Sequence, residues 1–121
     1  MKTKGELEQE VSQAVIRFEK EWMGRGPLET RTYLIDDLAV VRLRGVLTPA
    51  EHKLAESDRD AGRDLIKRVR HQLIEHGRGM LDAAVAQSLG VKVRSLHTDI
   101  STRTGERIIV FTLEGRPAYR E

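Results

Sequence analysis

Thr48-Pro49-Ala50-Glu51 opens the segment on which the fold of the chain depends most, and that segment runs to Leu89. A threonine hydroxyl can accept a backbone N–H at a helix start, proline fits the first helical position, and a glutamate three residues after the cap can reach back to it. Apolar residues then recur mostly in steps of three or four, the spacing of one helix face. This predicted stripe consists of Leu54, Ala61, Leu65, Val69, Leu73, Met80 and Ala84. The stretch is therefore predicted to be helical, with charge on its other face.

The length of this helix bears on the assembly of the protein. The segment from Glu56 to Asp60 is very polar, so the turns after Thr48 form either a separate short helix or the start of a continuous one. The main helix is predicted from about Ala61 to Leu89, and at 1.5 Å per residue it would be about 45 Å long. Four short strands cannot cover a helix of that length. We therefore expect a second copy of the chain to cover the surplus stripe, which predicts a homodimer.

Two predicted hairpins and a first helix complete the chain. β-Branched residues mark the strands, and aspartate or glycine suits the tight turns between them. The predicted elements are a helix from about Gly5 to Met23, strands Thr30–Ile35 and Leu38–Leu47 around Asp36-Asp37, and strands Val91–Ser101 and Glu106–Glu114 around a loop with Gly105. The order α-β-β-α-β-β predicts an α+β fold, with an antiparallel four-stranded sheet packed on two main helices, one of them long. Residues 1–121 are predicted to form one domain, with residues 1–5 and 115–121 frayed.

The composition restricts the class of protein. Hydrophobic residues make up 39% and charged residues 33% of the 121 residues, which is typical of a globular chain with a very polar surface. The absence of cysteine excludes disulfides and cysteine–zinc sites. No apolar run approaches the roughly 20 residues that span a bilayer, and the N-terminal residues lack a signal-peptide core. We expect a cytoplasmic protein whose membrane role, if it has one, is through a partner.

Arginine is the most informative charged residue. Of the 21 basic residues 15 are arginine, although the net charge is only +2. Arg42 and Arg44 lie two apart in the second predicted strand and so share a face, with Arg31 a candidate neighbour across the hairpin. Guanidinium groups bind phosphate or carboxylate in bidentate fashion, which makes nucleotide or nucleic-acid binding an alternative function. The low net charge and the shortage of stacking aromatic residues weigh against nucleic acid.

A polar strand is the other candidate site. His97, Asp99 and Ser101 are two apart, so they are predicted to point the same way, and Thr102 follows them. Such a row could bind metal or phosphate or organise a general base, which leaves a metal-assisted hydrolase centred on His97 and Asp99 as a second alternative. Two ligands are too few for a metal, and in-line residues are nearly 7 Å apart, too far for a catalytic triad. We predict no catalytic residue, metal site or cofactor, and favour contact with a partner or support of the turn.

Several stretches resemble signature stretches of a known family. They are Gly24–Pro27, Leu43-Arg44-Gly45-Val46-Leu47-Thr48-Pro49-Ala50-Glu51, Gly90–Thr102 and Gly105–Leu113. From about Glu6 to Glu114 the chain is similar to the MpsC-like family, a bacterial domain named for a Na+-translocating membrane-potential-generating system. The resemblance implies an accessory role near an ion-translocating system and supplies no catalytic residues. We therefore expect a non-enzymatic, homodimeric interaction module with a protein partner at the membrane. The residues expected to make contact are Arg42, Arg44, His97, Asp99, Ser101 and Thr102.

Overall fold

A computed structural model describes residues 1–57 and 59–120. In chain order, the elements within those ranges are α1 (Lys4–Met23), β1 (Glu29–Ile35), β2 (Leu38–Arg44), α2 (Pro49–Ser57), α3 (Arg59–Leu89), β3 (Val93–Ile100) and β4 (Arg107–Leu113). The predicted α+β class is confirmed. The stretch left open as one helix or two forms two helices, and Asp58, in the polar segment between them, lies outside the described residues. The long helix begins two residues before its predicted start and ends at the predicted Leu89.

The four strands form one antiparallel sheet in the order β1-β2-β4-β3. Each hairpin supplies an edge strand and a central strand, so the two hairpins join through β2 and β4. The Asp36-Asp37 turn is as predicted, because Asp36 has a φ of 53°, which aspartate tolerates in tight turns. Gly105 has a φ of 76° before β4, where a side chain would be strained. The amide of Val46 donates to the carbonyl of Gly105 and ties this turn to the loop before α2.

The start of α2 has the predicted reciprocal cap. The Thr48 hydroxyl accepts from the Glu51 amide at 3.2 Å, and the Glu51 carboxylate accepts from the Thr48 amide at 2.9 Å. Thr3 and Glu6 make the same pair of bonds at the start of α1, and Gly24 ends that helix with a φ of 84°. Caps of this kind are worth about 1 kcal/mol each. The local signals therefore set both helix starts.

The face of α3 that packs on the core differs from the predicted one. Its buried residues are Gly62, Ile66, Arg70, Ile74, Gly77, Leu81, Val85 and Leu89. Leu65 and Val69 of the predicted stripe are each 47% exposed, and Met80 is 53% exposed. The prediction was wrong because two glycines and an arginine interrupt the true core face and hide its apolar period. The predicted stripe exists, but it lies beside the core face, about 100° round the helix from it, and much of it is exposed.

Close helix packing explains those glycines. A Cβ on Gly77 would lie 2.6 Å from a ring carbon of Phe18 on α1, so the two helices cross where α3 has no side chain. A Cβ on Gly62 would lie 2.3 Å from the carbonyl oxygen of Leu54, which brings α2 against the start of α3. α1 and α3 together form a layer on one face of the sheet. The apolar core lies between that layer and the sheet.

Both chain ends differ from the frayed ends that we expected. Thr3 and Arg120 form a parallel β-bridge, in which the Arg120 amide donates to the Lys2 carbonyl at 2.7 Å. Pro117 is buried, and Tyr119 packs against the core. Glu121 lies outside the described residues. The polar composition of these segments suggested fraying, and it gave no sign of the bridge between them.

Candidate functional site

The face of the sheet opposite the helices carries most of the residues that the sequence singled out. Directly paired residues of an antiparallel sheet share a face, so the register defines rows that run across all four strands. The rows on this open face are Ile35/Leu38/Thr112/Ser95, then Tyr33/Val40/Val110/His97, then Arg31/Arg42/Ile108/Asp99. The burial alternation along β2 and β4 agrees with this assignment. We call this surface the open face.

The centre of the open face is apolar. Ile35 is 53% and Tyr33 42% exposed. Leu38, Val40, Ile108 and Val110 are each partly exposed, with only neighbouring strands beside them. Six of the twelve positions in the three rows are therefore apolar and in contact with water. Large contiguous patches of exposed apolar surface are typical of interaction sites.

Three arginines lie at the β1–β2 end of the open face. Arg31 is paired directly across the strands with Arg42, and like charges in that position are destabilising. Arg42 is bound to Glu106 at 2.5 Å, and Arg44 lies 3.7 Å from Glu29. No carboxylate of the described residues forms an ion pair with Arg31. Together with Tyr33, these groups line an open cleft of about 170 Å³.

His97 and Asp99 occupy the opposite edge of the open face, on β3. The His97 Nε2 lies 3.1 Å from the Ser95 hydroxyl, which in turn contacts the Thr112 hydroxyl. The Asp99 Oδ1 accepts from the Ile100 amide at 2.9 Å and lies 3.3 Å from the Lys67 ammonium. The Asp99 side chain is 83% exposed. The fold thus brings the predicted pair to one surface with Arg42 and Arg44.

Ser101 and Thr102 are not part of that surface. β3 ends at Ile100, so the predicted row of His97, Asp99 and Ser101 loses its last member. The Ser101 hydroxyl accepts from the Thr104 amide at 3.1 Å and holds the turn. Thr102 lies in the same turn and makes no side-chain hydrogen bond with the described residues. Ser101 therefore supports the hairpin, in agreement with the alternative interpretation of the sequence, and Thr102 lies within the same turn.

The hydrolase alternative finds little support in the geometry of β3. His97 is bound to a serine hydroxyl and Asp99 to a lysine and a backbone amide, so neither orients the other. Both side chains are exposed at a sheet edge, and the cleft at the β1–β2 end of the open face does not include them. Among the described residues, no three His, Asp or Glu side chains converge as metal ligands would. A general base needs a substrate pocket within hydrogen-bond reach.

The apolar residues of the open face were missed by the sequence reasoning, although a signal for them existed. Strands that are covered on one face alternate apolar and polar residues, whereas strands covered on both faces are continuously apolar. Leu38–Val41 and Ile108–Phe111 are continuously apolar. The two central strands therefore have the sequence of strands with both faces covered, while the helices cover only one.

Charged residues are buried on the covered side of the sheet. Arg70 donates to Glu51 at 2.5 and 2.9 Å and to the Val46 carbonyl at 3.0 Å, and Arg107 donates to the Thr98 hydroxyl at 2.9 Å. Burial raises the pKa of Glu19, which is 2% exposed, and the charges of Arg107 and Arg70 offset part of that rise. Burial also raises the pKa of Glu51, but its bonds from Arg70 and Thr48 outweigh burial and leave it lowered. This network connects α1, α2, α3 and β4 inside the molecule.

Within residues 1–57 and 59–120, no helix is both long enough and apolar enough to cross a membrane.

Comparisons with known proteins place the chain in a family. No solved structure matches the chain. Uncharacterized protein YbcI of Bacillus subtilis (strain 168) is 41% identical over 112 residues, which cover 93% of this chain and 89% of that protein. A family model described as "Na+-translocating membrane potential-generating system (MpsC)" matches residues 3–115. The resemblance found in the sequence is therefore confirmed, and the chain belongs to the MpsC family.

Proposed function

We propose that this protein is a non-enzymatic docking module that binds a protein partner through the open face of its sheet. The partner surface that fits has an apolar centre and a carboxylate opposite Arg31. The observation that carries this proposal is the two-sided apolar sequence of β2 and β4, of which only one side is covered. Burial of apolar surface against a partner contributes about 25 cal/mol of free energy per Å², and this is the main favourable contribution in such contacts.

The family description suggests where such a module acts. It refers to a Na+-translocating system that generates a membrane potential. A chain without a spanning helix among its described residues would join such a system by binding another component. We infer an accessory or regulatory role at the cytoplasmic side of the membrane.

Photo-crosslinking in the native host tests this proposal. A photoreactive phenylalanine analogue is placed at Tyr33 or Ile35 on the open face, and at Lys53, which is exposed on α2, as the control. We expect discrete crosslinked species from both open-face positions and none from Lys53. Crosslinks at all three positions, or at none, would remove the support for a docking face.

Phosphate binding at the arginine cleft is the second candidate function. It is favoured by one observation, that Arg31 has no carboxylate partner among the described residues although Arg42 and Arg44 each have one. Bound phosphate would relieve the like-charge contact of Arg31 with Arg42. Fluorescence anisotropy with a labelled nucleotide and a labelled single strand at low salt tests this. Binding that weakens in Arg31→Gln and falls steeply with salt would support it, and no anisotropy change would end it.

A further inference from the structure

We propose that the open face is occupied by a second copy of this chain, related to the first by a two-fold axis that lies between the two sheets and runs parallel to their strands. This inference rests on the proposed docking function of the same face and names its partner. It differs from the homodimer expected from the sequence, which used the apolar stripe of α3.

The charges at the two edges of the sheet carry the argument. Arg31 and Asp99 lie in one row, at opposite ends of it, on β1 and β3. Three strand spacings of about 4.8 Å separate them, so they do not meet within one copy. Arg31 is exposed without an ion-pair partner among the described residues, and Asp99 is exposed with its Oδ2 unbonded there. The β1 edge thus carries an arginine without an ion-pair partner there, and the β3 edge carries a carboxylate of which one oxygen is paired with Lys67.

A two-fold axis parallel to the strands matches these charges. It exchanges the two edges of the sheet and keeps every row at its own height. Arg31 of each copy then faces Asp99 of the other, so the pair forms twice. In the same row Arg42, which is bound to Glu106 of its own copy, faces Ile108 of the second copy, and in the central row Val40 packs against Val110. Charged residues at the rim and apolar residues at the centre are the arrangement of a specific interface.

The other two-fold arrangement does not match. An axis perpendicular to the strands and centred on the apolar rows lays β1 of one copy over β1 of the other. Arg31 would then face Tyr33 or Ile35 of the second copy, and no carboxylate would be near it. An unpaired charge in an interface costs several kcal/mol. The charge pattern therefore selects the axis parallel to the strands.

The size and packing of the face suit such a dimer. Facing sheets lie about 10 Å apart and cross at about 30°, which shifts the edge residues by on the order of 4 Å. A long arginine side chain can follow a shift of that size. Four strands of about seven residues give a flat outline of roughly 19 by 23 Å, or about 440 Å². The accessible area of the side chains on it exceeds this outline, and specific interfaces begin at about 600 Å² per partner.

A charge exchange between two variants tests the geometry by sedimentation velocity. We expect the native chain to be a dimer at micromolar concentration. Arg31→Asp alone brings two aspartates together at each contact, and Asp99→Arg alone brings two arginines together. Each should raise the dissociation constant at least about 100-fold, because like charges in an interface cost several kcal/mol. An equal mixture of the two variants should form heterodimers, because both contacts then join opposite charges.

Two control variants distinguish this contact from the Lys67 ion pair within one copy and from a dimer that forms through α3. Lys67→Ser removes the partner of Asp99 within one copy and should leave the dimer intact. Val69→Asp places a charge on the exposed stripe of α3 and should also leave it intact. If a charge-reversed chain does not fold, Arg31→Gln and Asp99→Asn replace it, and each should weaken the dimer.

Three results would overturn the inference. The first is a native chain that stays monomeric at about 100 µM, a concentration at which weak dimers form. The second is a single charge-reversed variant that dimerises as the native chain does. The third is loss of the dimer in Val69→Asp. A monomer would leave the docking proposal standing, because crosslinks from Tyr33 to a different protein would still show an occupied face. A crosslinked species of twice 13.7 kDa supports the second copy, and the absence of any crosslink removes both proposals.

Discussion

The two faces of the sheet differ in a way that polarity alone would not predict. On the covered face, Arg107 is 2% exposed and Thr32 is 6% exposed, and both lie beneath the helices. On the open face, Tyr33 and Ile35 are about half exposed. Both of these buried polar side chains have a hydrogen-bond partner, since the Thr32 hydroxyl contacts the Ser12 hydroxyl at 2.7 Å and Arg107 donates to the Thr98 hydroxyl. Polar residues are therefore buried where the fold supplies partners for them, whereas apolar residues of the open face remain in contact with solvent.

Two neighbouring isoleucines of β4 provide the strongest test of the difference between the two faces. Ile109 is 1% exposed on the covered face, and Ile108 is partly exposed on the open face. Ile109→Ala should lower the free energy of unfolding by about 2–5 kcal/mol, because it leaves a cavity in the core. Ile108→Ala should lower it by less than about 1 kcal/mol in the monomer. Urea denaturation at a concentration below dimer formation measures both. Equal losses would mean that the two faces do not differ in burial.

Two glycines of α3 test how closely the helix layer covers the sheet. Gly77→Ala should cost about 1–3 kcal/mol, because its Cβ would overlap the Phe18 ring. Gly79→Ala is the matched control: a Cβ there meets nothing within 4 Å, and alanine is the better helix former by about 0.5–1 kcal/mol. Thermal unfolding should therefore shift in opposite directions. A stabilised Gly77→Ala variant would contradict the close contact between α1 and α3.

The pH dependence of stability is the smallest expected effect and concerns Glu19. Burial raises its pKa above 4.5, the ordinary value, so the folded chain holds this proton more tightly than the unfolded chain does. The contribution of Glu19 to stability therefore falls as pH rises through the window above 4.5. Glu19→Gln should remove that slope. The native-minus-variant difference in unfolding free energy, measured from about pH 4 to about pH 8, should decrease with pH.

This difference also cancels titrating groups that do not interact with Glu19. Asp82 is such a group, because its pKa is raised by burial and the charges that act on it are those of Arg78 and Glu75. If the difference in unfolding free energy is constant across the pH range, the charged carboxylate of Glu19 is as stable in the folded chain as in the unfolded chain. Arg107 and Arg70 are the groups that would provide such accommodation, because they carry the positive charges nearest to it.

The sequence predicted elements better than it predicted faces. Thr48, Glu51 and Asp36 act through bonds and backbone angles within a few residues, so the cap and the turn were predicted correctly. The core face of α3 could not be predicted from apolar periodicity, because Arg70 and Gly77 lie in it. Their burial depends on Glu51 and Phe18, which are far away in sequence.

Only part of the candidate site was predicted, because part of it depends on contacts between residues that are distant in sequence. The spacing of Arg42 with Arg44, and of His97 with Asp99, correctly placed each pair on one side of a strand. That both pairs share one surface depends on the β2–β4 pairing, which joins the two hairpins and which no local pattern specifies. Ser101 was misplaced because the strand ended one residue earlier than predicted.

The exposed stripe of α3 has a consequence for growth of the assembly. Leu65, Val69 and Met80 lie on an exposed side of α3 beside its core face, so a dimer joined through its sheets would carry one such stripe on each outer surface. A second two-fold contact there would join dimers into a closed tetramer where the two axes cross at right angles, and into an open fibre where the axes do not meet. Arg68 and Glu75, both exposed on α3, contribute charge to that helix surface. Replacing them with alanine would make the outer surface more apolar and so favour such contacts.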